Sequence, residues 1–170
     1  MTYKELLTQI NKKLARDKRI RFIGYNTRYG HQMYGTLKGC EKSCIETPVC
    51  EALMVGLAMG MSLEGFRPIV SFERQDFMLI AADQIINHLA LLPKISGGQF
   101  DFPVLIRAII GSQNKKFDLG LQHTKDLSYI FKPYINTVEF TGKEYYDYKW
   151  DKPLIVVERK DDYEKDYIAP

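Results

Sequence analysis

Apolar residues recur along the chain in two rhythms. Across residues 2–16, Leu6, Leu7, Ile10 and Leu14 stand at helical spacing. "RIRFIG" (19–24) then reads as a strand stopped by glycine. Residues 48–63, "PVCEALMVGLAMGMSL", predict a helix, with Thr47 as its N-cap and Pro48 at its first position. "RPIVSFE" (67–73) predicts a strand, and residues 77–92 an apolar helix ending at Pro93. "FPVLIRAIIG" (102–111) is a strand with apolar residues on both faces, as at the centre of a parallel sheet. "NTVEF" (136–140) and "PLIVVE" (153–158) read as later strands. This alternation predicts an α/β fold, a mostly parallel sheet with helices on both faces, in a single domain spanning 1–170.

Two stretches fall outside the rhythm. Residues 25–44, "YNTRYGHQMYGTLKGCEKSC", are polar, glycine-punctuated and rich in tyrosine, which reads as a long loop. Long loops in compact domains are usually functional or mobile. The final "KDDYEKDYIAP" is charged and is expected to fray or to dock on a neighbour.

Composition narrows the function. A chain of 170 residues, 45% hydrophobic and 26% charged, has the make-up of an ordinary globular protein. A net charge of +3 with scattered lysines gives no reason to expect nucleic acid. The longest uncharged apolar run, between Glu51 and Glu64, is shorter than the ~20 residues of a membrane span. The N-terminus is charged and amphipathic without an apolar signal core, so a cytoplasmic location is expected. Cys40, Cys44 and Cys50 lie close together. An odd count without a CxxC pair favours reduced thiols over a disulfide or a metal site.

The candidate chemistry centres on Glu51, in the first turn of the predicted helix or just past it. Ligands of parallel sheets bind beyond the C-terminal strand ends, where loops and helix starts converge. A carboxylate there complements the positive helix end, a contribution of about 0.3–1 kcal/mol. Glu46, just outside the helix, could do the same. Yet Glu51 stands among Val49, Leu53, Met54 and Val55, and an acid held against apolar neighbours needs a partner. Pattern alone leaves the functional and helix-end readings equally open.

Residues 45–125 resemble the pyrimidine-binding domain of thiamine diphosphate enzymes, in particular the beta subunits of pyruvate and other 2-oxo acid dehydrogenases. Three stretches carry the likeness: "ETPVCEALMVGLAMGMSLEGFRPIVSF", "FMLIAADQIINHLALLPKISGGQFDFPVLIRA" and "LQHTKD". The first holds an acid-centred signature: Glu51, apolar Ala52, four residues, apolar Leu57, two residues, Gly60 and apolar Met61. "GFRPIV", "DQIIN", "SGGQF" and "PVLIR" follow in the family's order and spacing.

The resemblance implies roles. The glutamate at the Glu51 position hydrogen-bonds N1′ of the cofactor's aminopyrimidine, favouring the imino tautomer that deprotonates the thiazolium carbon. Phe77 falls where an aromatic ring stacks on the pyrimidine, though a core phenylalanine would read the same. His123 matches the histidine of a Gln-His-Ser element, with Thr124 replacing serine, and suits proton transfer near a small-molecule substrate. A surface histidine remains the alternative. Leu53 and Phe72 are expected in the core near the site, His88 in a core or interface, and His31 along a substrate channel.

The diphosphate end of such cofactors is held through Mg²⁺ by a domain marked Gly-Asp-Gly, and no such tripeptide occurs in this sequence. The resemblance therefore implies an alpha-like partner subunit supplying the metal ligands, in a heterotetramer. Beta subunits of the family also continue into a further domain after the strand matching "PLIVVE". The expectation is a stand-alone split enzyme, decarboxylating a 2-oxo acid or moving a two-carbon ketol or acyl unit as transketolase-like proteins do. A non-catalytic pyrimidine-domain scaffold or regulatory partner is the alternative. An ordinary nucleotide-binding domain is disfavoured, since "GYNTRYG" lacks GxGxxG spacing.

Overall fold

The computed structural model describes residues 1–113 and 122–168. Leu121 of "LQHTKD" and the last two residues of the tail lie outside the described residues. Six parallel strands form one sheet: β1 (Ile20–Gly24), β2 (Cys44–Glu46), β3 (Arg67–Phe72), β4 (Leu105–Ile110), β5 (Asn136–Glu139) and β6 (Leu154–Arg159). Their spatial order is β2-β1-β3-β4-β6-β5, so every C-terminal strand end lies on the same side of the sheet. This is the predicted α/β architecture. β2, at the end of the predicted long loop, is the one strand that the apolar pattern did not show.

Alternation along the central strands builds a core on each face. Ile23, Val70, Phe72, Ile106, Ala108, Ile110, Ile155 and Val157 face one way, against helix α2 (Glu51–Leu63) and the helical stretch Gln84–Ala90. Ile20, Phe22, Ile69, Leu105, Ile109, Leu154 and Val156 face the other, with Leu7 and Ile10 of helix α1 (Tyr3–Leu14). α1 opens on a capping box in which Thr2 and Glu5 satisfy each other's backbone N–H. No helix among the described residues is long and apolar enough to cross a membrane.

Three predicted boundaries move. α2 begins at Glu51, not Pro48. Thr47 stays extended because its N–H bonds the Gly24 carbonyl at 3.0 Å, leaving Cys50 as N-cap without a side-chain bond. The predicted helix 77–92 resolves into a 3₁₀ turn (Gln75–Leu79), a π-helical stretch (Gln84–Ala90) and a short α3 (Leu92–Ile95). The path passes through Pro93 instead of ending there, because at the start of α3 its missing N–H costs no bond. The described part of the tail does not fray. Its backbone pairs with the first residues of the chain, Tyr3 N–H to Lys165 at 3.1 Å and Lys4 N–H to Tyr163 at 3.0 Å, and Tyr163 is buried.

Strand β4 is buried throughout, yet it carries Arg107 at its centre. Arg107 donates from Nε to Oε1 of Glu158 on β6 (2.7 Å), and from Nη2 to Oε2 (2.9 Å) and to Thr36 Oγ1 (3.1 Å). The hydroxyls of Tyr163 and Tyr145 also donate to Glu158. Burial opposes ionisation of Glu158, but the guanidinium and the two hydroxyls hold its carboxyl below the usual range. Between β1 and β2 the chain turns through positive φ at Asn26, Gln32, Met33 and Tyr34.

Candidate functional site

Gly24 ends β1 beneath the start of α2. A Cβ there would lie 2.8 Å from the Ser71 carbonyl of β3 and 3.4 Å from the Met54 methyl, so only glycine allows this approach. That approach seats the first turn of α2 over the C-terminal ends of β1 and β3. Glu51, the first residue of the helix, is only 4% exposed. No described residue donates a hydrogen bond or forms an ion pair to its carboxylate, although buried carboxylates normally carry partners. Met54 and Val55 are buried behind it, but Val49 and Leu53 are exposed. Leu53 is therefore not the core residue expected, because it points outward from α2, whereas Phe72 is fully buried as expected.

Phe77 and His123 meet, with ring centroids 5.0 Å apart. Tyr25, the first residue beyond β1, brings its ring to 6.4 Å from Phe77. Burial first, and then the charges of Glu73 and Glu51, push its phenol well above its ordinary pKa. Its hydroxyl is hidden and unbonded. His123 adopts φ +63° and is held by its carbonyl, which accepts the Gly111 N–H at 2.8 Å. A Cβ on Gly111 would stand 2.0 Å from that oxygen, so the contact requires glycine. Nδ1 of His123 lies 3.8 Å from Asp76 Oδ2, and both atoms are buried without a hydrogen bond. Buried Gln75 ties this turn to the chain beyond His123, bonding Ser128 Oγ and the Leu127 N–H.

Tyr25, Asp76 and Gln75 escaped the sequence reading. The position of Tyr25, immediately after a strand-ending glycine, is the signal that could have found it. Across the 25–44 loop, His31 Nε2 lies 3.2 Å from Glu73 Oε1 and the imidazole stacks on Tyr34 at 4.6 Å. Its hydrogen bond first of all holds the Glu73 carboxyl low against burial. His31 thus stands at the same sheet edge as Glu51, with its ring engaged by Glu73. His88 is exposed beside Asp83 and is therefore not a core residue, because its side of the π-helical stretch faces away from the sheet. All three cysteines are free, Cys40 and Cys44 buried and Cys50 exposed. Glu46 is no helix-end charge: its carboxylate accepts from the N–H groups of Asn26 (2.6 Å), Thr27 (3.0 Å) and Arg28 (2.7 Å). A cleft of about 510 Å³ lined by Asn136, Val138, Tyr148 and Leu154 lies at the other end of the strands.

This edge offers a dry, unpartnered acid, an aromatic platform and a histidine beside a carboxylate. Those groups fit a flat heteroaromatic ring with a basic nitrogen. Among the described residues no group of three or more His, Cys, Asp or Glu could hold a metal ion.

Comparison with known proteins identifies the family. The family described as "Transketolase, pyrimidine binding domain" matches residues 1–111. A pyruvate dehydrogenase E1 component subunit beta from Cyanidium caldarium is 32% identical over 142 residues, covering 76% of this chain and 40% of its own length. The chloroplastic subunit beta-3 from Arabidopsis thaliana is 28% identical over 137 residues, covering 78% of this chain and 33% of its own. The chain thus spans a third to two-fifths of the length of these relatives. A solved structure described as a split gene transketolase, inactive beta4 tetramer, superposes with a TM-score of 0.67 at 14% identity, over 92% of this chain and half of that one. At that identity the likeness shows the fold alone. The family match spans well over half of the residues, and the chain belongs to the transketolase pyrimidine-binding domain family, whose enzymes depend on thiamine diphosphate.

Proposed function

We propose that this chain is the pyrimidine-binding subunit of a split thiamine diphosphate-dependent enzyme acting on a 2-oxo acid or ketose donor. The reaction would be decarboxylation or two-carbon ketol or acyl transfer. The observation that carries the proposal is Glu51, buried and unpartnered at the first position of α2. A carboxylate in that setting is costly unless a ligand completes it. When bound, the cofactor supplies the carbonyl chemistry for which side chains have no equivalent. Glu51 holds a proton at the pyrimidine ring nitrogen, and the apolar side of α2 strengthens that bond by excluding water. Phe77 gives the ring a stacking face, and Tyr25 closes the same edge. His123, steered by Asp76, moves a proton at the substrate oxygen. We assign Mg²⁺ and the diphosphate end to an alpha-like subunit carrying Gly-Asp-Gly, in a heterotetramer with two copies of each chain.

The test is calorimetry with thiamine diphosphate, on this chain alone and with a Gly-Asp-Gly subunit encoded beside it. Weak binding to the isolated chain and tight, Mg²⁺-dependent binding to the complex are expected. Tight, metal-dependent binding to the isolated chain would remove the shared site. In the complex, Glu51→Gln should slow hydrogen–deuterium exchange at the thiazolium C2 by roughly 10²–10⁴-fold, the scale of a lost acid–base group. Exchange at the wild-type rate would leave Glu51 a helix-end charge and the chain a scaffold.

A further inference from the structure

The half-buried Arg74, between β3 and the turn that bears Asp76 and Phe77, has no use in the scheme above. A guanidinium offers five N–H donors. Nη1 of Arg74 donates to the Glu73 carbonyl at 2.9 Å, while Nε is hidden from solvent and has no acceptor. Arg107 has Glu158 as carboxylate partner, Arg159 has Asp126 and Glu139, and Arg67 and Arg19 share Asp17, whereas Arg21 bonds only backbone carbonyls. Arg74 has no carboxylate partner among the described residues. Asp76 and Glu73 are near in sequence, but Asp76 lies toward His123 and Glu73 is taken by His31 and Asn26.

The side chain is held in place by carbon contacts. Its Cδ lies 3.4 Å from where a Gly111 Cβ would stand, beside the backbone that anchors His123. Its guanidinium carbon is 5.1 Å from the centre of the Tyr34 ring, and Lys160 Nζ reaches the same ring at 4.6 Å. Arg74 and Lys160 thus share one aromatic ring, with Asp76 acting on Arg74 and Glu164 and Asp161 acting on Lys160. Burial, ahead of any neighbouring charge, pulls both basic groups down. An anion at this spot would relieve that cost.

We propose that Arg74 binds the anionic end, a carboxylate or a phosphate, of the small molecule handled beside Phe77 and His123. This deepens the function proposed above and rests on it for the catalytic meaning of the site. The planar fork matches both oxyanions, so one chemistry serves a 2-oxo acid or a phosphorylated ketose.

The test is an NMR titration of the ¹⁵N-labelled full chain with pyruvate and, separately, with inorganic phosphate, following the arginine Nε–Hε signals. The Arg74 signal should shift saturably, together with the Gly111 and His123 amides, while that of Arg107 stays fixed. Arg74→Gln should weaken this binding by about tenfold or more, the scale of a lost charge-assisted hydrogen bond. Arg74→Lys should retain part of it, and unaltered melting of both variants shows that the fold is intact. Tighter pyruvate assigns a carboxylate donor, and tighter phosphate a phosphorylated one. No saturable shift with either anion up to about 50 mM, well past the millimolar range of weak sites, overturns the proposal. So does loss of partner binding in Arg74→Gln without an anion response, which would make Arg74 an interface cation. Cofactor calorimetry on the same complex is a separate readout, so the anion site and the thiamine diphosphate site can fail independently.

Discussion

Phe77 tests whether the edge of the sheet is a site or only the margin of a core. Its ring is half-buried and touches His123 and Tyr25, which are themselves only partly covered. Phe77→Ala should weaken thiamine diphosphate binding to the assembled enzyme by about 1–3 kcal/mol through lost packing and stacking. Calorimetry decides the matter: unchanged affinity with collapsed thermal stability would make Phe77 a core residue. An ordered set of short motifs singled out Phe77 and His123, and the structure brings their rings to 5.0 Å, while their roles belong to the proposal. Tyr25 was marked only by its place after a strand-ending glycine, and nothing in the local sequence separates Arg74 from an ordinary strand-end arginine. What distinguishes them is an unbonded buried atom, which only three-dimensional packing reveals.

At the level of elements, the least legible part was the join between β1, β2 and α2. Thr47 and Pro48 make a good helix start by local preference, yet the sheet claims Thr47 first. Glu46 explains much of this order, because its carboxylate gathers successive N–H groups of the turn after β1 and so places Tyr25. Burial works against its ionisation, but the Arg28 and Asn26 amides outweigh it and hold its carboxyl below the ordinary range. A lowered carboxyl stabilises the fold above the unfolded pKa of about 4.3, and the contribution disappears as pH falls through the folded value. Glu46→Gln should therefore cost about 1–2 kcal/mol at pH 7, after discounting for partial exposure, and less as pH falls towards 3. Urea denaturation at the two pH values checks it; an equal loss at both would mean that the charge is irrelevant.

For the molecule as a whole, the sheet and its two cores were readable from alternation alone, but the polar centre of one core was not. Arg107 is a lone charge in an apolar strand, and its partner Glu158 lies 51 positions away. Thr36, Tyr145 and Tyr163 complete the network, so the long loop, the region before β6 and the docked tail all meet at one ion pair. Removing one partner strands the other in a dry interior. Glu158→Gln should destabilise the chain by about 3–5 kcal/mol, measured by chemical denaturation, whereas pairing it with Arg107→Met should recover part of the loss. If the double variant is as unstable as the single one, the network contributes through packing instead of charge.

The loop over this edge has a property that its own residues do not favour. Gln32, Met33 and Tyr34 follow one another with φ of +49°, +49° and +58°, a left-handed course. For L-amino acids such handedness costs roughly 1–2 kcal/mol per residue. The compensation comes from elsewhere: Met33 is wholly buried in the core, its N–H reaches the Asn26 carbonyl at 2.8 Å, and Tyr34 lies against His31. The chirality of this turn is thus imposed by the completed sheet beneath it. As a free peptide the same residues would favour the right-handed course.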